Sequence, residues 1–406
     1  MSSPETLRSY RPWIALAAST GINMTMGINY SWSVIKKALV IQWGWTNVQA
    51  SLPYTAYMLT FTLMMIFGGR MQDKFGPRIV ATAGSILVGA GLVACGFAET
   101  PFYMMLSYCI TGFGNGMCYS TTIPACVKWF PPEKRGMVTG VVVAGTGVAS
   151  GYFSPLADWL LGSYGISRTF VILGAAVFAV LSVMSQTVKN PPEGYVPSSS
   201  NGAQPEPCKR TGTCDIGWPD IVRSPTFVKL WLMYLGAASA GLMIMAHIAT
   251  IAKTQAAWEK GFYLVIIFAA FNAASRLVAG YLSDRYGRLR LMLIIFAVQM
   301  VNMALFAFYG TPASLVFGTA VIGAAYGAAF ALFPLATADF FGLKNLGGNY
   351  GLLITAWGCA GLVGPILAGW VVDVTGRYGF AYAISAALLA MAVLLVPTIK
   401  PARNPQ

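Results

Sequence analysis

Two stretches decide the fold: GGRMQDKFGPR at 68–78 and AGYLSDRYGRLR at 279–290. They stand at a constant offset of 211 residues (284 minus 73), with Asp73 on Asp284, Phe75 on Tyr286 and Gly76 on Gly287. The register continues without a gap. Trp129-Phe130 falls on Phe340-Phe341, Gly136 on Gly347, Gly140 on Gly351 and Gly147 on Gly358. Several matches at one offset mark a duplicated half. Each copy ends one apolar run and opens the next, so each is a turn between two helices. The glycines permit a tight turn, and the aspartate can pair with a neighbouring helix end or an arginine.

Outward from these turns the chain is apolar. Of 406 residues, 56% are hydrophobic and 10% charged, and the mean hydropathy is +0.64. Soluble domains carry about 25% charged residues. That excludes a soluble enzyme, a disordered chain and a coiled coil. The apolar runs are continuous and about 20 residues long, which suits membrane-spanning helices rather than alternating barrel strands. Twelve segments are expected, near 12–35, 47–68, 78–98, 101–127, 136–161, 166–188, 226–251, 261–282, 289–310, 312–337, 347–371 and 379–398. The first has an apolar core too long for a signal peptide and reads as an uncleaved span.

The net charge of +13 does not call for nucleic acid. With the N-terminus in the cytoplasm, inner loops and tails hold 19 Lys and Arg and outer loops hold six: Lys36, Lys37, Arg168, Lys253, Lys260 and Arg377. This bias implies cytoplasmic N- and C-termini in the cell (inner) membrane. The polar stretch 189–225, rich in Pro, Ser and Gly, reads as a cytoplasmic linker between a six-helix bundle at 1–188 and another at 226–406. Ser224-Pro225 suits the N-cap and first position of the following helix. Seven cysteines give no disulfide framework, and Cys208 and Cys214 match no common zinc spacing.

Two halves in parallel repeat, with binding at their interface, is a common transporter plan. The form G-x-L-x-D-R-x-G-R at 280–288 resembles the signature loop of the major facilitator superfamily. GINYSW (27–32), NGMCYS (115–120), KWFPPEKRG (128–136), NAASRLVAGYLSDRYGR (272–288), ALFPLATADFFG (331–342) and NYG (349–351) together resemble the monocarboxylate/proton symporter family of that superfamily and its relatives, including the oxalate:formate antiporter. The resemblance covers both halves. It implies an all-α major facilitator fold and alternating access, with Asp73, Asp284, Arg285 and Arg288 as the conformational latch.

Arg276 is the only Lys or Arg placed deep in a span. It lies eight residues before Asp284, about 12 Å along a helix. A charge at mid-span costs roughly 2.5–3.5 kcal/mol on insertion scales, and arginine stays protonated. The acidic residues fall in loops, tails or near span ends, so a mobile anion is the expected partner, held by the planar fork of the guanidinium. The plainer reading is an arginine bonded to helix carbonyls or reaching an interface. In the repeat Arg276 falls on Met65, so the cation breaks the symmetry. Asn272, one turn earlier, shares its face and can hold the guanidinium or donate to the substrate. Animal monocarboxylate transporters would carry an Asp there, so Asn272 departs from the Asp–Arg pair on which a shared proton mechanism would rest. The antiporter's second cation, a lysine, aligns on Trp357. One deep cation suits one carboxylate, which favours a monocarboxylate over oxalate.

Asn115 and Tyr119, with their repeat counterparts Tyr326 and Phe330, are expected to complete the pocket, and Tyr30 matches a binding-site tyrosine of the antiporter. Tyrosine hydroxyls can donate to a carboxylate while rings cover a small alkyl group; the same residues can instead bind helices to each other. His247, the single histidine, is a candidate for proton coupling or a helix-end histidine bonded to a carbonyl or water. No metal, cofactor or nucleic acid is expected. The partners are a small monocarboxylate such as L-lactate or pyruvate, H⁺ and the lipid bilayer. An electroneutral carboxylate exchanger is the alternative carrier. A carboxylate receptor that never turns over is the rival of another class, disfavoured by the duplicated latch loop. An enzyme is disfavoured by the lack of a Ser/His/Asp grouping.

Overall fold

The computed structural model describes residues 4–46, 48–192, 195, 197, 215–375 and 378–399. All regular structure among them is helical: α1 (Pro4–Thr25), α2 (Trp32–Trp43), α3 (Leu52–Phe75), α4 (Pro77–Cys95), α5 (Pro101–Val127), α6 (Arg135–Thr187), α7 (Asp220–Arg223), α8 (Pro225–Ala256), α9 (Phe262–Tyr286), α10 (Arg288–Leu305), α11 (Pro312–Phe341), α12 (Leu346–Leu353), α13 (Thr355–Thr375) and α14 (Gly379–Leu395). Nine helices among the described residues are long and apolar enough to cross a membrane. Every expected segment falls on helix. Twelve spans follow if α1 and α2 are joined through the 3-10 turn Met26–Ser31, α12 is joined to α13, and α6 is divided. At 53 residues α6 holds two expected segments, and Gly165, at φ 73°, breaks the helical backbone between them.

The repeat is visible in local geometry. Gly76 and Gly287 take φ 85° and 86°, a left-handed backbone that glycine alone adopts without strain. They turn α3 into α4 and α9 into α10 in the same way. At the same offset α5 and α11 both begin Thr-Pro. Thr100 accepts from the backbone N–H of Tyr103, and Thr311 from that of Ser314, while Pro101 and Pro312 take the first turn, where no N–H is needed. Ser224 and Pro225 hold the expected N-cap and first positions of α8, but the Ser224 hydroxyl makes no cap bond.

The chain forms two compact units. The first comprises 1–131, 141–202 and 343–352; the second comprises 132–140, 203–342 and 353–406. Short pieces therefore change sides: the start of α6 belongs with the second half of the sequence, and α12 belongs with the first. In the first unit α5 packs on α3, α4 and α1, and its buried face carries Ser107, Thr111, Asn115, Thr121 and Thr122. In the second unit α11 packs on α9, α8 and α10, while α13 and α14 both lie against α8. Cys95, Cys109, Cys118, Cys126 and Cys359 are free thiols. Cys208 and Cys214 lie outside the described residues.

Candidate functional site

The second unit holds the deep cation. Arg276 on α9 is 1% exposed and is among the largest fully buried side chains. The helical period sets Asn272 one turn before it on the same face. Arg276 Nε donates to Asn272 Oδ1 at 3.1 Å, and the guanidinium carbon lies 4.7 Å from the centre of the Phe330 ring on α11. Neither Asn272 nor Phe330 carries charge, so neither neutralises the guanidinium. Glycines bring the neighbouring backbones close at this level. A Cβ on Gly140 would stand 2.6 Å from the Arg276 carbonyl oxygen, and one on Gly327 would overlap the carbonyl of Asn272.

An aromatic wall adjoins the cation. Trp357 Nε1 on α13 donates to the Tyr326 hydroxyl at 2.8 Å. The Tyr326 and Phe330 ring centres are 5.3 Å apart, Phe330 and Trp357 5.9 Å, and Phe268 and Tyr326 5.7 Å. The Tyr326 oxygen accepts through a lone pair, so its own proton is not used by that bond. Arg276, Asn272, Tyr326 and Phe330 are thus brought together. Trp357 and Phe268 join them without having been picked out as pocket residues. In the sequence, Trp357 stands at the position of the antiporter's lysine, and Phe268, one turn before Asn272, is indistinguishable from the other apolar residues of its span.

The other expected pocket residues, Asn115, Tyr119 and Tyr30, lie in the first unit. Asn115 is buried on α5, and its Nδ2 donates to the Tyr57 hydroxyl at 3.0 Å; Asn29 Nδ2 donates to the same oxygen. The Tyr108 hydroxyl donates to Asn29 Oδ1 at 3.3 Å. Tyr119 is buried with its ring 5.8 Å from that of Phe61. Asn115 therefore also serves as the glue between helices that its residue type allows. The backbone of Tyr30 lies in the 3-10 turn Met26–Ser31, and its side chain is outside the described residues. His247 is half-buried on α8, with Nδ1 3.4 Å from the Tyr378 hydroxyl and the two rings 5.6 Å apart.

The duplicated aspartates each cap a helix start that the repeat had exchanged. In the second unit Asp284 accepts from the backbone N–H groups of Gly136 and Met137, both at 2.9 Å, at the first turn of α6. Arg288 Nη1 reaches Asp284 at 2.8 Å, and its Nε lies 3.2 Å from Asp339. In the first unit Asp73 accepts from Gly347 at 3.3 Å and Gly348 at 2.8 Å, at the start of α12, with Lys128 3.7 Å away. A carboxylate at a helix start meets the positive end of the dipole and satisfies N–H groups that lack helical partners. Asp73, Asp284 and Arg288, expected to form a latch, are joined at these caps. Arg285 is exposed instead, with its guanidinium 4.9 Å from the Tyr281 ring centre, because it follows Asp284 on α9 and is rotated from it by about 100°.

Comparison with known proteins places this architecture. The oxalate:formate antiporter of Oxalobacter formigenes is 26% identical over 93% of this chain and 88% of its own length. Monocarboxylate transporter 13 of Rattus norvegicus is 25% identical over 79% of this chain and 73% of its own. The crystal structure of the E. coli fucose:proton symporter superposes with a TM-score of 0.74 at 11% identity, covering 96% of this chain and 98% of that one, a likeness of fold alone. The model of the Major Facilitator Superfamily matches residues 14–258 and again 242–406, and the chain belongs to that superfamily of membrane transporters.

Proposed function

We propose that this protein is a secondary active transporter of small monocarboxylates, such as L-lactate or pyruvate, coupled to H⁺ and working by alternating access. The observation that carries the reading is a buried arginine whose Nε is held by a neutral amide and whose guanidinium lies against a ring. A positive charge arranged this way attracts a carboxylate, and the planar fork of a guanidinium matches one. Relatives named for oxalate, formate and monocarboxylates support the same substrate class. Within that class, Trp357 at the position of the antiporter's lysine leaves the aromatic wall uncharged, which favours one carboxylate and a small alkyl group.

An anion on Arg276 neutralises the site, and the neutralised site is the form that reorients. A potential of 100 mV opposes entry of a monoanion by about 2.3 kcal/mol. One accompanying proton removes that opposition and lets a pH gradient drive uptake. His247 beside Tyr378 is the candidate proton carrier. The caps on Asp73 and Asp284 hold one conformation by charge and dipole and release it when the helix starts move. The charge bias of the loops supports a setting in the cell membrane with both termini in the cytoplasm.

Uptake of radiolabelled L-lactate into empty proteoliposomes under an inward pH gradient tests this. Uptake that collapses with a protonophore supports symport. Uptake that needs vesicles preloaded with an anion replaces symport by electroneutral carboxylate exchange, the reading that the antiporter relative favours.

A further inference from the structure

The second unit also carries a groove of about 280 Å³ between α9, α10 and α11. Each helix contributes a stripe with spacings of three, four and seven: Ser275 to Leu282, Leu291 to Val298 and Val321 to Ala328. Two helical turns make the groove about 10 Å long. Its floor is Ala324, Ala325 and Ala328, and its rim residues Val278, Ile294 and Val298 are exposed. Apart from Ser275 every lining residue is aliphatic, so the groove offers nothing to a carboxylate and is not the anion site.

The repeat supplies an internal comparison. At the offset of 211, Ala324 falls on Phe113, Ala325 on Gly114 and Ala328 on Met117. Ile295 falls on Gly84, where a Cβ would stand 2.8 Å from the Gly114 carbonyl oxygen. In the first unit α4 therefore rests on the backbone of α5, and the large side chains Phe113 and Met117 stand where the groove has Ala324 and Ala328. The fold does not require the groove; the second half has it through its own side chains. The same offset places Arg288 on Pro77 and Arg290 on Ile79. It also places Leu289 on Arg78, so the small floor occurs together with one added cation.

Arg288 is engaged by Asp284 and Asp339. Arg290 is exposed, is the third residue of α10 and stands one turn before Ile294 on the same face, at the end of the groove marked by Leu282 and Leu291. Arg285 is exposed at the same turn.

We propose that this groove binds one acyl chain of an anionic phospholipid, with the lipid phosphate against Arg290. Lipid tails are as apolar as the groove wall, so apolar fit alone would not select one lipid from another. The headgroup charge selects, and the groove fixes where the selected lipid sits. The chain would lie against Ser275, the residue next to Arg276, on the part of α9 that faces α10 and α11. The binding itself does not depend on which anion is carried.

The test is native mass spectrometry of the purified full chain, presented with equal amounts of phosphatidylglycerol and phosphatidylcholine bearing identical chains. Phosphatidylglycerol should be retained about fivefold better, the selectivity one arginine near an anionic surface supplies. Arg290→Gln should bring the ratio near one. Ala325→Leu, on the half-buried floor, should lower phosphatidylglycerol retention at least fivefold. Ala324→Leu makes the same test if Ala325→Leu misfolds. Equal retention of the two lipids by the unaltered chain would overturn the proposal. So would a preference that survives Arg290→Gln, or one that survives both groove-filling changes.

Discussion

Replacing Arg276 by methionine, the residue its repeat partner Met65 already supplies, separates a binding charge from a structural one. Removing a mid-span charge returns roughly 2.5–3.5 kcal/mol. Against that stand the Phe330 contact, 4.7 Å from ring to guanidinium, at about 0.5–2 kcal/mol. The buried Asn272 acceptor, left without the Arg276 Nε bond, costs a further ~1–3 kcal/mol. The sum lies within roughly 2–3 kcal/mol of zero, so Arg276→Met should remain folded with little change in thermal stability. Binding should not survive. Truncating one partner of a buried charge pair costs about 2–5 kcal/mol, a loss of roughly 30- to 4000-fold in affinity at about 1.4 kcal/mol per decade. The assay pairs initial rates of L-lactate uptake into proteoliposomes, over a range of concentrations, with thermal unfolding of the purified variant. Arg276→Lys keeps the charge without the planar fork and should fall between the two. Uptake by Arg276→Met within threefold of the unaltered rate refutes the anion-site reasoning. Loss of uptake together with outright unfolding would instead make the arginine a structural member of the helix packing.

Trp357→Lys places a second cation beside Tyr326 and should shift preference from lactate toward oxalate; competition uptake with both anions would reveal a missing shift. Gly140→Ala puts a methyl 2.6 Å from the Arg276 carbonyl oxygen, a clash worth about 1–3 kcal/mol, and should slow uptake while reducing the unfolding temperature. Asp284→Asn should cost more stability than Asp73→Asn, since Asp284 meets Arg288 at 2.8 Å and Asp73 meets Lys128 only at 3.7 Å, and paired unfolding curves compare them directly. His247→Gln should reduce pH-driven uptake at least tenfold while leaving lactate counterflow nearly intact; equal loss of both would assign His247 to packing against Tyr378 rather than to proton coupling.

Much of this was legible in the chain because it is local. A run of about 20 apolar residues needs no distant partner to be read as a helix in a bilayer. Gly76 and Gly287 announce their turns by what glycine alone can do, and they take φ 85° and 86°. Arg276 is conspicuous because a charge in such a run is costly wherever the helix packs, and Asn272 follows from 3.6 residues per turn. Helical period also put Tyr326 and Phe330 on one face of α11, though not beside Arg276.

What tertiary structure alone decided depends on residues far apart in sequence. The repeat related Asp73 to Asp284 and Gly136 to Gly347, but a repeat gives correspondence, not contact. Only folding sends Asp284 to the start of α6 and Asp73 to the start of α12, across about 150 and 270 residues respectively, where unpaired N–H groups draw a carboxylate. Arg288 reached Asp284 across the turn at Gly287, whereas Arg285, one residue after Asp284 on α9, is rotated from it by about 100°. Trp357 read as a missing lysine until its indole met the Tyr326 hydroxyl. The three alanines of α11 became a groove only because α9 and α10 stand apart above them. Local sequence fixes a helix and its faces; which faces meet is settled by long-range packing and by polar groups that must find partners where water is absent.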